Sequence, residues 1–187
     1  YIRYALPGET VTAARQKDRA ELIALIEASH QRAAPACRHF GTCGGCSLQH
    51  LEASAYQAFK RGTLVTALRQ RGIDVEVAEL VACPPASRRR VTWTAQRAET
   101  GIVLGYRKAM SHEIVDIEED PIALPAIENA IPLVRELAAL LAPGRDAFKL
   151  LVTATESGLD IAVSGTGPLA EARRQRAAQF AIANRLA

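Results

Sequence analysis

The sequence predicts an α+β fold built on an antiparallel sheet. First, Val91, Trp93 and Ala95 alternate with Thr92, Thr94 and Gln96, the period of two that a half-buried strand requires. Second, the turn signals Glu99-Thr100-Gly101 and Glu156-Ser157-Gly158 each separate two β-prone runs. Third, the helical patterns are set apart from these strands, with no Gly-rich phosphate loop after a strand and no internal repeat.

In chain order, residues 1–31 open with an apolar stretch and the turn signal Leu6-Pro7-Gly8-Glu9. The β propensity of Thr10, Val11 and Thr12 predicts a strand pair around that turn. The run 21–27, Glu-Leu-Ile-Ala-Leu-Ile-Glu, has helical propensity, yet a short apolar run with polar ends also fits a strand. From Pro35 to Cys46 the composition turns abruptly to Cys, Gly and His, which reads as a functional loop. Apolar residues near helical spacing (Leu51, Ala55, Phe59, Leu64, Leu68) predict a helix over 48–71, stopped at Gly72. Strands are predicted over 74–82 and within 88–118, where 102–106 can pair back and 114–117 adds a short strand. A helix is predicted over 125–141, ended by Pro143-Gly144. A hairpin of 150–154 with 159–163 follows, and Pro168 opens a last, Arg-bearing helix.

The most informative segment is Cys37-x5-Cys43-Gly44-Gly45-Cys46. Three thiolates within ten residues can converge on one centre, and the paired glycines let the backbone pass close beside it. Thiolate-rich sites select zinc or iron–sulfur clusters. His50, four residues after Cys46, makes a Cys3His zinc site chemically feasible, but the paired short spacings usual for zinc knuckles are absent. The plain alternative is three reduced, inert cysteines. His39 reads as an ordinary loop histidine and Cys83 as a small apolar residue at a strand end.

The 187 residues suit one medium domain or two small ones, and 49% hydrophobic residues allow a packed core. The formal net charge is only +3, but Arg greatly outnumbers Lys, and its planar fork of donors suits phosphates and base edges. An Arg-rich surface with no nucleic-acid partner is the plain alternative. No run of about 18 apolar residues is present to span a membrane, and no secretory leader is visible. Four cysteines without an export signal favour metal binding over disulfides and predict a cytoplasmic protein. A chain that begins at Tyr1, in what reads as mid-strand, is expected to be part of a longer polypeptide. Arg88-Arg89-Arg90 enters a strand, so alternation sends Arg88 and Arg90 to one face, and Arg107 and Lys108 can add to that surface. Such a cluster contacts phosphates with little base selectivity; a solvated sheet face is the alternative.

The segment 37–50, Cys-Arg-His-Phe-Gly-Thr-Cys-Gly-Gly-Cys-Ser-Leu-Gln-His, resembles the cluster-binding motif of the RNA (uracil-5-)-methyltransferases that carry a [4Fe–4S] cluster. The resemblance continues through Ser87-Arg88-Arg89-Arg90-Val91, Gly105-Tyr106-Arg107-Lys108, Ile114-Val115-Asp116-Ile117 and Pro121-Ile122, in the family's order, over roughly residues 5–165. It implies that 1–31 are the last strands of an oligonucleotide-binding-like barrel, the TRAM domain, which favours a strand at 21–27. It implies a cluster loop and helix over 32–72, and a central α+β RNA-contact domain over 73–187.

The resemblance also implies cluster ligands at Cys37, Cys43 and Cys46. The family's fourth ligand is a cysteine directly before the Pro-Ile pair, where this chain has Asp120. Either the carboxylate binds iron as a harder, more labile ligand, or the site is degenerate. The implied partner is RNA, ribosomal RNA ahead of transfer RNA, met by Arg88, Arg90, Arg107 and Lys108 and by a monomer without membrane attachment. The cluster's implied role is folding or RNA positioning. In the family, methyl transfer from S-adenosylmethionine occurs in a Rossmann-like domain that has no counterpart in this sequence. No catalytic residue is therefore assigned, and the chain alone is expected to be inactive. The rival reading is a non-catalytic RNA-binding module with zinc or a degenerate metal site.

Overall fold

In a computed structural model, which describes residues 2–187, the chain is mixed α and β with antiparallel sheets and divides into two compact units. The strand start expected at Tyr1 lies outside the described residues. One unit comprises residues 1–36 and 46–83, the other 37–45 and 84–187.

In the first unit, β1 (Thr10–Gln16) and β2 (Arg19–Glu27) form an antiparallel hairpin with irregular register near Thr10 and Thr12. The segment 21–27 is thus strand. The hairpin closes at Lys17-Asp18, not at the Leu6-Pro-Gly-Glu turn. That earlier turn is real but serves another purpose. Glu9 accepts from the Leu6 N–H at 2.7 Å and meets the Arg32 guanidinium through two bonds, Nε–Oε1 at 2.5 Å and Nη2–Oε2 at 2.7 Å. Arg32 also donates to the Tyr4 carbonyl at 2.8 Å. A turn residue and the chain beyond β2 are thereby clamped by a bidentate pair. No closed barrel forms among the described residues.

Helix α1 (Ala53–Arg69) starts at Glu52, whose carboxylate accepts from the Ser54 and Ala55 N–H groups at 3.0 and 3.1 Å. None of its side chains is buried within the chain. The strand expected over 74–82 does not form. Val75, Leu80 and Val81 are exposed, and the carbonyls of Val77 and Ala78 accept from the Arg61 side chain instead of a neighbouring strand. β propensity without a partner leaves an extended, irregular segment.

The second unit carries a five-stranded antiparallel sheet in the order β5-β4-β3-β6-β7. Its strands are β3 (Arg90–Ala98), β4 (Gly101–Arg107), β5 (Ile114–Asp116), β6 (Phe148–Thr155) and β7 (Gly158–Ser164). The alternation read in β3 is obeyed, with Val91, Trp93 and Ala95 buried. Their register partners Leu104, Phe148, Leu150 and Val152 complete one apolar face. Gly105 makes the β4–β5 approach possible, since a Cβ there would lie 2.2 Å from the Val115 carbonyl oxygen.

The predicted helix over 125–141 is broken into α2 (Pro125–Glu128) and α3 (Ile131–Leu141). Pro132 is the cause: it has no N–H to donate and its ring cannot sit against the carbonyl four residues earlier, so it begins a helix rather than continuing one. Ile127, Ile131, Val134, Leu137, Ala138 and Leu141 bury against the sheet, joined by Ala177 of α4 (Glu171–Ala183). Arg135 of α3 fastens the β4–β5 edge by binding Asp116 and the carbonyls of Ile102 and Ile117. Among the described residues no helix is long and apolar enough to cross a membrane.

The Glu9–Arg32 clamp gives the first unit an acid dependence. The hydrogen bonds from Arg32 hold the Glu9 carboxyl at about 2, below its ordinary 4.5, despite burial. A lowered carboxyl stabilises the folded state above its unfolded value, and that stabilisation fades as the pH falls from 4.5 toward 2. The β1 and β2 amide signals in NMR should therefore lose dispersion across that window, and Glu9→Gln should weaken the hairpin at neutral pH and flatten the acid dependence.

Candidate functional site

The cysteine-bearing segment 37–45 is built from tight turns, with the Cys43 N–H donating to the His39 carbonyl at 2.8 Å and the Phe40 N–H to the Cys37 carbonyl at 3.1 Å. It then adds a single rung just past the end of β4. The Gly44 N–H donates to the Arg107 carbonyl at 2.9 Å, and Cys43 bridges Lys108 in antiparallel fashion. Only glycine fits at position 44, because a Cβ would stand 2.7 Å from the Arg107 oxygen and 3.0 Å from the Ala109 nitrogen.

A second anchor holds the start of the segment. Arg38 donates its backbone N–H to Glu119 at 2.6 Å, and its guanidinium meets Glu119 at 3.2 Å and Glu118 at 2.7 Å. The donation from Arg38 keeps the Glu119 carboxyl below its usual range. The Glu118 N–H donates to His39 Nε2 at 3.1 Å, which makes His39 a loop anchor. These bonds tie residues 38–39 to 118–119, so the neighbours Cys37 and Asp120 each sit one residue from the tie.

Asp120 is 4% exposed. Its Oδ2 accepts from the Tyr106 hydroxyl at 2.7 Å and, at 3.4 Å, from the Trp93 indole N–H. Neither donor reaches Oδ1. Burial first, and the Asp120 charge second, push the Tyr106 phenol far above its ordinary value, opposed by the Arg88 guanidinium. The phenol therefore stays protonated and remains a donor at every physiological pH. At the other end of this ring, a Cβ on Gly45 would lie 3.5 Å from Tyr106 and 3.4 Å from Cys43 Sγ. The Gly45 N–H donates to that sulfur at 3.3 Å. Cys43, Gly45, Tyr106 and Asp120 thus form one continuous neighbourhood.

Cys43 is buried, Cys37 and Cys46 are partly exposed, and Cys83 is exposed in the irregular segment before β3. The chain crosses between the two units at 36/37, 45/46 and 83/84, so Cys46 belongs to the first unit while Cys37, Cys43 and Asp120 belong to the second. Among the described residues no three His, Cys, Asp or Glu side chains converge as metal ligands. The donor chemistry suits a thiolate-bound iron–sulfur group, with a backbone amide already aimed at one sulfur. His50 lies in the first unit, buried at 2% exposure with its ring edge-on to Tyr4 at 6.1 Å. Burial, aided by the Arg32 charge, lowers its pKa.

Of the four cationic residues singled out for RNA, Arg88, Arg90 and Arg107 are exposed. Lys108 pairs with Glu113 at 2.5 Å, and the Arg107 guanidinium meets His112 Nδ1 at 2.5 Å. Arg107 and Lys108 are consecutive and so turn to opposite sides. Sequence reasoning missed Tyr106 and Trp93 as the donors to Asp120; the signal available was that an acid inside an apolar stretch must find donors.

No protein-family model matches the chain. A Brucella suis protein named as an uncharacterized RNA methyltransferase is 53% identical over 175 residues, covering 94% of this chain and 42% of its own length. A Mesorhizobium japonicum protein with the same description is 51% identical over 183 residues, 98% of this chain and 44% of its own length. The Halomonas elongata protein named 23S rRNA (uracil(1939)-C(5))-methyltransferase RlmD is 36% identical over 186 residues, 95% of this chain and 38% of its own length. The chain therefore spans less than half the length of these relatives.

Replacing Tyr106 with Phe would strip the closer donor from a buried carboxylate. Loss of such a bond costs roughly 1–3 kcal/mol. Denaturant unfolding followed through the single, fully buried Trp93 should show that loss in the second unit, with Tyr106→Phe more damaging than Tyr56→Phe on the exposed side of α1.

Proposed function

The chain is a relative of the RNA methyltransferases, and from that kinship we propose that it is the cluster-binding and RNA-recognition portion of an S-adenosylmethionine-dependent RNA uracil-C5 methyltransferase acting on ribosomal RNA in the cytoplasm. The observation that carries this reading is the 36% identity across 95% of the chain to a protein named for that reaction on 23S rRNA. Methyl transfer belongs, in this reading, to the part of the relatives' length that this chain does not span, and S-adenosylmethionine is bound there. Residues 1–31 are the closing strands of a TRAM-like barrel, residues 32–72 carry the cluster loop and its helix, and residues 73–187 make the RNA-contact domain.

A [4Fe–4S] cluster would be held by Cys37, Cys43 and Cys46, with Asp120 as the fourth ligand; when bound it supplies a covalent tie that fixes the loop. The protein's own residues prepare that site. Gly45 aims an N–H at the Cys43 sulfur, the kind of backbone hydrogen bond that tunes cluster ligands. Tyr106 and Trp93 occupy Oδ2 of Asp120 and so orient Oδ1 outward from the pair of donors. Arg38 and His39 hold the loop against residues 118–119. Arg88, Arg90, Arg107 and Lys108 are the proposed RNA contacts, of which Lys108 must first leave Glu113.

Anaerobic purification followed by iron, acid-labile sulfide and zinc analysis tests the cofactor. Near-stoichiometric iron and sulfide are expected, with iron lost to a chelator more slowly from Asp120→Cys than from the natural chain. Zinc without sulfide, or no metal in either protein, overturns the cluster assignment.

A further inference from the structure

The helices of the second unit pack on one face of its sheet, with Val91, Trp93, Ala95, Leu104, Phe148, Leu150 and Val152 beneath them. The opposite face is exposed at Arg90, Thr92, Arg107, Lys149, Ala162 and Ser164 but buried at Thr94 and Gly105, and strand register fixes what it presents. In one row Thr94 lies between Gly105 on β4 and Lys149 on β6, and Lys149 lies opposite Ser164 on β7. In the next row Thr92 is opposite Leu151, and Leu151 opposite Ala162. Arg107, two residues beyond Gly105, returns to this face alongside that row. In the third row Arg90 is opposite Thr153, and Thr153 opposite Asp160.

One cation therefore stands in each of three successive rows, on β6, β4 and β3. Two residues of strand separate adjacent rows, so the three span on the order of 13 Å along the strands. Arg90, Arg107 and Lys149 are exposed, and none has a carboxylate partner among the described residues. Between them lie the short side chains of Thr92, Thr94, Thr153, Ala162, Ser164 and Gly105 together with the half-buried Leu151, a surface low enough for a chain to lie across. The acids on this face stand at its edges: Asp160 on β7, and Asp116 on β5, which Arg135 neutralises. His112 is the remaining titratable group beside Arg107.

We propose that this open sheet face is a phosphate track for an unpaired RNA strand, with Arg90, Arg107 and Lys149 as its contacts. The inference rests on the RNA-recognition reading above and adds Lys149 to it, while leaving out Lys108, which points away, and Arg88, which precedes β3 and bridges Ala123. Charge selects a polyanion as the occupant. Among the described residues the face has no aromatic side chain on which bases could stack, because Trp93 and Tyr106 turn to the helix side. Binding is therefore through the backbone, salt-sensitive and indifferent to sequence.

The test is fluorescence anisotropy of a short, labelled, mixed-sequence single-stranded RNA titrated with the chain over a range of salt. The Arg90→Gln, Arg107→Gln, Lys149→Gln triple variant should bind at least ten-fold more weakly. Its slope of log affinity against log salt should flatten by about 2, since each phosphate contact on a single strand contributes about 0.7. Arg176→Gln on α4 should bind as the natural chain does. The charge-keeping triple Arg90→Lys, Arg107→Lys, Lys149→Arg should retain most of the affinity, with Trp93 fluorescence confirming that both triples fold. Natural-chain binding that the glutamine triple leaves unchanged overturns the face assignment while the RNA reading stands. No binding by the natural chain at the lowest salt overturns both.

Discussion

The second unit depends on one close backbone approach. Gly44 comes so near the end of β4 that its N–H reaches the Arg107 carbonyl at 2.9 Å, a position that no side chain could share. With that rung made, Cys43 lies beside Lys108, Gly45 lies against the Tyr106 ring, and Tyr106 can extend its hydroxyl to Asp120. A residue with a Cβ at 44 would push the loop off β4 and separate these groups. The Arg38 and His39 bonds to residues 118–119 act at the other end of the loop, so the segment is held at both ends by the same unit.

Asp120 shows how a buried carboxyl group is accommodated by neutral donors, with no salt bridge to it among the described residues. Removing a carboxylate from water costs several kcal/mol unless donors replace the lost hydration. Here two neutral donors do so, and both converge on Oδ2. One is an indole at a long 3.4 Å; the other is a phenol whose own burial keeps its proton in place. The arrangement leaves the second oxygen outside this pair of bonds, which is the chemical basis for treating the residue as a ligand rather than as a plain hydrogen-bond acceptor.

The two units differ in how they are held. The second has a continuous apolar layer between sheet and helices, so its geometry is set by packing as well as by bonds. The first relies on the Glu9–Arg32 clamp and on the hairpin ladder, while α1 buries none of its side chains within the chain. A helix of 17 residues without burial gains little from tertiary contacts, so its cap at Glu52 carries more of the local stability than a cap normally does.

Much of this was legible in the sequence, because local physics specified it. The alternation of β3 named its buried residues, the turn residues placed both hairpins of the second unit, and the cysteine spacing picked out the loop. The segment resemblance decided strand over helix at 21–27, which periodicity alone left open. What the sequence misjudged needed partners to decide. The extended run 74–82 has strand propensity but no neighbour to bond, the Leu6–Glu9 turn closes on Arg32 rather than on a second strand, and Pro132 splits one expected helix in two. The sequence by itself determined the paired strands of the second unit, the cysteine loop and the kinship with RNA methyltransferases, because these reside in local spacing and residue identity. Only the tertiary structure decided that Asp120 meets Tyr106, and that Arg90, Arg107 and Lys149 share a face while Lys108 does not. Those relations depend on strand register, and register is settled by contacts between residues far apart in the chain.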